Sequence, residues 1–83
     1  MRSEYQLFLD AARSYSQLPD SNTTALCYEA AISNCSDVSL SWLMSMEAGE
    51  TALIQEDYYS SINFFSKALQ LAADTKAKSS SGK

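Results

Sequence analysis

The sequence predicts an all-α fold of four antiparallel helices arranged as two helical hairpins, a short α-solenoid or bundle. Composition is the first observation behind this. The 83 residues include two glycines and one proline and are 46% hydrophobic, which favours helices over a turn-rich β architecture. Apolar residues also recur at three- and four-residue spacing through most of the chain. Turn-forming clusters then break that periodicity three times.

The first helix is expected over about residues 4 to 17. Ser3-x-x-Gln6 is a capping-box signature, and Leu7, Phe8, Ala11, Ala12, Tyr15 and Leu18 follow on one stripe. Pro19-Asp20-Ser21-Asn22 ends it, because proline disfavours helical geometry in the residue before it, while Asp20 or Ser21 can cap the next helix. Ala25, Leu26, Tyr28, Ala31 and Ile32 mark that second helix, running to about Asn34. The turn formers Asn34-Cys35-Ser36-Asp37 interrupt it.

The third helix starts from Asp37 or Ser39 and carries Leu40, Leu43, Met44, Ala48, Ala52 and Leu53. Gly49 inside it costs about 1 kcal/mol of helix propensity relative to alanine, so its presence suggests close packing of a neighbouring helix. Gln55-Glu56-Asp57 forms the third break, with Asp57 placed to cap a helix bearing Tyr58, Ile62, Phe65, Ala68, Leu69 and Ala72. Loops this short force successive helices to run antiparallel. Residues 1–75 therefore read as two helix pairs, about 5–38 and 42–75, and 76–83 as a flexible, basic, serine-rich tail.

Several function classes are disfavoured. No apolar run approaches the ~20 residues a membrane span needs, and the N-terminus lacks a secretory pattern, so a cytoplasmic protein without membrane insertion is expected. The Asn22-Thr23-Thr24 sequon is then a chance match at the start of a helix. Cys27 and Cys35 lie eight positions apart, about 12 Å along a helix axis, too far for a disulfide. With no histidine and no CxxC spacing, no metal or other cofactor is expected. The net charge is −4, and Lys76, Lys78 and Lys83 supply half of the six basic residues, leaving an acidic body that disfavours nucleic acid.

Nothing in the chain forms a convincing catalytic constellation, so no enzyme is expected. Glu47 and Glu50 stand one turn apart and read as solvated charges, and no glycine-rich phosphate loop is present.

An offset of 37 residues superposes the two halves: Ala11 on Ala48, Ala12 on Gly49, Asp20 on Asp57, Thr24 on Ser61, Tyr28 on Phe65, Ala31 on Ala68 and Ile32 on Leu69. The stretch from Asp57 to Leu71, with Ser61, Phe65 and Ala68 at fixed spacing, resembles the second helix of a tetratricopeptide repeat. Ala48 and Gly49 stand where that family has its large-residue and glycine pair. Thr24, Tyr28 and Ala31 repeat the pattern in the first half, so the resemblance covers about residues 5 to 75. Ser45 and Ala52 depart from it at large positions, Ala73 stands where a closing proline is common, and three extra residues separate the repeats. That longer spacing is similar to vesicle-fusion attachment proteins. The second half also resembles microtubule-interacting and trafficking domains in vesicle traffic, although those have three helices.

The resemblance implies a non-enzymatic scaffold or adaptor that binds a protein or peptide partner. Leading helices of stacked hairpins line a concave surface. On this alignment it carries Gln6, Leu9, Arg13, Ser16 and Gln17, then Leu43, Met46, Glu50, Leu53 and Ile54. The partner-binding residues expected are Leu9, Arg13, Leu43, Met46, Glu50, Leu53 and Ile54. The lysine and asparagine clamp of chaperone-binding members is not supported at these positions.

A structural assembly or dimerisation domain is the alternative, with the same apolar residues covered by a second copy or by packing within a parent protein. Tetratricopeptide arrays usually have at least three repeats and a polar capping helix. Without these, Tyr59, Phe64 and Leu71 are expected to be exposed, as in a fragment of a larger protein or a self-associating domain.

Overall fold

The structure is a computed structural model that describes residues 3–81, with side chains described for 3–74. It contains α1 (Glu4–Tyr15), α2 (Ser21–Ser33), α3 (Val38–Ile54) and α4 (Tyr58–Ser81), and no strand among the described residues. The chain is all-helical. α1 packs on α2 and α3 on α4, and a smaller α2–α3 contact joins the two pairs.

Local chemistry accounts for each boundary. The Ser3 N–H donates to Gln6 Oε1 at 2.9 Å, one arm of the capping box that starts α1. Asp20 caps α2, accepting from the Thr23 N–H at 3.1 Å and the Thr23 hydroxyl at 2.7 Å. Asp37 accepts from the Ser39 and Leu40 N–H groups at 2.9 and 3.2 Å, and Asp57 from the Ser60 N–H at 3.2 Å. Each satisfies donors that a helix start leaves without intrahelical partners.

α3 ends differently. The Asp57 N–H donates to the Ala52 carbonyl at 2.8 Å and the Glu56 N–H to the Leu53 carbonyl at 3.0 Å, a Schellman closure. It holds Glu56 at φ 61°, in the left-handed region that glycine adopts without a Cβ penalty.

The core is one cluster of Ala12, Tyr28, Ala31, Ile32, Met44, Ala48 and Phe64. Small residues let the helices approach, and Gly49 marks the tightest point. A Cβ there would lie 2.6 Å from Phe65 Cε1, so the close packing expected of this glycine is present. Buried hydroxyls are satisfied locally, with Ser45 donating to the Ser41 carbonyl at 2.8 Å and Thr24 to the Asp20 carbonyl at 2.9 Å.

Two expectations for α4 need correction. Phe64, expected to be exposed, is 4% exposed and meets Tyr28 edge-on with ring centroids 6.2 Å apart, while Leu71 is half-buried. Tyr59 is exposed as expected. The face that packs is Ser61, Phe64 and Ala68, so most of the stripe at Tyr58, Ile62 and Leu69 lies in solvent. The physical reason is that α4 is apolar over a wider arc than one neighbouring pair can cover. The helix also extends to Ser81, past residue 75, with neither glycine nor proline to stop it before Gly82. The expected flexibility of the last two residues lies outside the described residues.

No helix among the described residues is long and apolar enough to cross a membrane.

Candidate partner-binding groove

α1 and α3 flank an open groove of about 540 Å³. Leu9 and Arg13 reach it from successive turns of α1, and Leu43, Met46 and Glu50 from successive turns of α3, at the three- and four-residue spacing that puts side chains on one helix face. Five of the seven expected partner-binding residues therefore line one surface. Leu53 and Ile54 are not among its lining residues; both lie in the last turn of α3, and Ile54 is almost wholly exposed.

The groove is braced by polar contacts that the helical periodicity does not reveal. Arg13 donates to Glu47 through Nε at 2.8 Å and Nη2 at 2.9 Å, a bidentate pair spanning α1 and α3. The Tyr28 hydroxyl donates to the same carboxylate at 2.8 Å and lies 3.3 Å from the Thr51 hydroxyl. Three helices thus meet at Glu47. The reading of Glu47 as a solvated charge does not hold, and Arg13 is engaged within the chain.

The electrostatics follow from this geometry. The hydrogen bonds from Arg13 hold the Glu47 carboxyl below its usual value against the opposing effect of burial, and the Tyr28 hydroxyl reinforces them. Burial raises the Tyr28 phenol to about 12, so it remains a neutral donor at physiological pH. The Arg13 guanidinium is raised by its bonds to Glu47.

Sequence reasoning missed Tyr5, Asp10, Leu40, Met44 and Glu47 as lining residues. Asp10 and Glu47 do occupy equivalent positions under the 37-residue offset, a signal available in the sequence. Long-range polar pairing leaves no periodic trace, because residues 13 and 47 sit on different helices, 34 positions apart. A second hollow of about 280 Å³ lies between α2 and α4, lined by Glu29, Ser33, Ser60, Asn63, Phe64 and Lys67.

The groove combines apolar walls with carboxylates. Residues 3–74 hold all ten acidic residues but only Arg13 and Lys67 of the basic ones, a net −8. Cys27 and Cys35 are both free and half-buried, and among the described residues no His, Cys, Asp and Glu side chains cluster in a way that could hold a metal ion. Comparison of the chain with family models, with curated proteins and with solved structures gave no match.

Proposed function

We propose that this chain is a non-enzymatic protein-interaction module, built as two tetratricopeptide-like helix pairs, that takes a helix or extended peptide of a partner in the α1/α3 groove. The observation that carries this reading is the convergence of Leu9, Arg13, Leu43, Met46 and Glu50 on one concave surface. Concave apolar surfaces with a few polar groups are the usual form of a peptide site, and Met46 adds an adaptable side chain. The acidic body favours a partner segment whose apolar residues are flanked by lysine or arginine.

Panning a random-peptide display library on the folded chain tests the proposal. The expected result is enrichment of apolar, basic peptides that bind Leu43→Asp at least roughly tenfold more weakly. Leu43 is more than half exposed, so the variant keeps its helices, and circular dichroism checks this. Enriched peptides that bind Leu43→Asp as well as the parent would remove this groove from consideration.

A further inference from the structure

Two apolar faces lie open at opposite ends of the helix array, and the 37-residue correspondence relates each to a face that is covered inside the chain. In the first pair, Ala12, Tyr28 and Ile32 belong to the cluster that receives Met44 and Ala48 of α3, with Tyr5, Leu9 and Ala25 packed beside it. Their counterparts in the second pair are Gly49, Phe65 and Leu69, with Trp42, Met46 and Ile62 alongside. Gly49 is buried and Met46 and Phe65 are half-buried, but Trp42, Ile62 and Leu69 are exposed. Ile32 is 7% exposed, whereas Leu69 is 73% and Ile62 65% exposed.

The opposite end shows the reverse. Met44, the α3 residue that docks on the first pair, is 3% exposed, but its α1 counterpart Leu7 is 55% exposed. Ala48 and Ala52 correspond to Ala11 and Tyr15, and Tyr15 with neighbouring Phe8 is partly exposed as well. The chain thus carries one uncovered face of the kind that receives α3 and one of the kind that α3 presents.

We infer that copies of this chain stack head to tail, the α1 face of one copy docking on the α3/α4 face of the next. This contact would repeat the one already made between α3 and the first pair. The receiving residues Trp42, Leu53, Tyr58, Ile62 and Leu69 are uncharged, but the correspondence sets Glu50 of one copy towards Asp10 of the next, where Arg13 and Glu47 pair inside the chain, so association should strengthen as salt screens these carboxylates. Their exposed parts amount to roughly 500 Å² at about 200 Å² per large side chain, and a polar rim brings this towards the roughly 800 Å² per partner of a stable complex. The two faces differ, so the contact is heterologous and extends beyond two copies unless a ring closes. The inference needs the internal correspondence but not the groove reading.

Light scattering and sedimentation of the full chain test it. Apparent mass should rise above the 9.1 kDa of one copy as concentration increases to about 1 mM. Ile62→Asp destroys the receiving face and Leu7→Asp the docking face. Both positions are exposed, so each variant should retain its helicity and stay monomeric alone. Mixed in equal amounts, they should form a species of twice 9.1 kDa that grows no further, because each variant keeps one intact face. A parent chain that remains monomeric to about 1 mM overturns the inference, and so does association that Leu7→Asp leaves untouched, which would indicate a symmetric α4-to-α4 contact.

Discussion

Gly49→Ala puts two opposing effects of comparable size at one atom. Alanine in a helix interior is favoured over glycine by about 1 kcal/mol. The added Cβ would sit 2.6, 2.7 and 2.9 Å from Cε1, Cδ1 and Cζ of Phe65, against about 3.5–4.0 Å for comfortable carbon contacts. Three ring atoms on one side mean that the ring or the helix must move by about 1 Å, because turning the ring in its plane relieves nothing. Overpacking of this kind costs about 1–3 kcal/mol, and a displacement this large places the cost in the upper half of that range. The expected net is a loss of about 1–2 kcal/mol, or roughly 5–15 °C in Tm for a chain of this length. Urea and thermal melts followed by circular dichroism read it directly. In a Phe65→Leu background the obstruction is removed, and Gly49→Ala should become neutral or stabilising by up to about 1 kcal/mol. A stabilised Gly49→Ala in the parent, or the same effect in both backgrounds, would refute the claim that α4 approach dictates this glycine.

Acid should weaken the fold through Glu47. Its folded value is depressed below 4.5, so its contribution is fully present above the unfolded value and is lost as pH falls through the folded one. Asp20 and Asp57, lowered by their bonds to Thr23 and Ser60, act with the same sign. Urea midpoints should therefore fall below about pH 5, and Glu47→Gln should flatten the dependence while costing about 1 kcal/mol at neutral pH; an unchanged pH profile would count against the bracing role. Glu56→Gly should raise stability by about 1 kcal/mol, because φ of 61° costs a residue with a Cβ more than glycine loses in unfolded-chain entropy. A lower Tm in that variant would show that the Glu56 side chain contributes something its backbone geometry does not reveal.

Helix existence and helix starts were the most legible features of the sequence, because both depend on nearby residues. Asp20, Asp37 and Asp57 act as caps as the turn chemistry suggests, and α3 ends at Ile54, just before the expected break at Gln55-Glu56-Asp57. The end of α4 was less legible, since neither a glycine nor a proline stops the chain between Tyr58 and Ser81. Which part of a broad apolar arc is buried was not legible at all. Phe64 and Phe65 are adjacent and equally hydrophobic, yet Phe64 turns to Tyr28 while Phe65 lies beside Gly49. That choice is made by α2 and α3, whose placement α4 does not encode. The groove was partly legible because periodicity places Leu9 with Arg13 and Leu43 with Met46. The Glu47 hub was not, since its partners Arg13 and Tyr28 come from two other helices.

The position of that hub bears on how groove and end faces would work together. Arg13 and Glu47 link the two helices that wall the groove, so they set its width independently of any partner. A groove of about 540 Å³ open along its length offers a peptide few enclosed contacts, and a single groove should bind weakly. Head-to-tail stacking would place α1 of each copy beside α3 of the one before it and bring the groove of each copy into one row. A partner carrying several apolar, basic segments would then meet a row of weak sites at high effective concentration, and avidity could raise overall affinity by roughly 10²–10⁴-fold without any new contact. On this reasoning the exposed ends and the shallow groove belong to one design. Single-copy variants such as Ile62→Asp should retain the intrinsic affinity of a groove for one short peptide and lose the gain for a multivalent one.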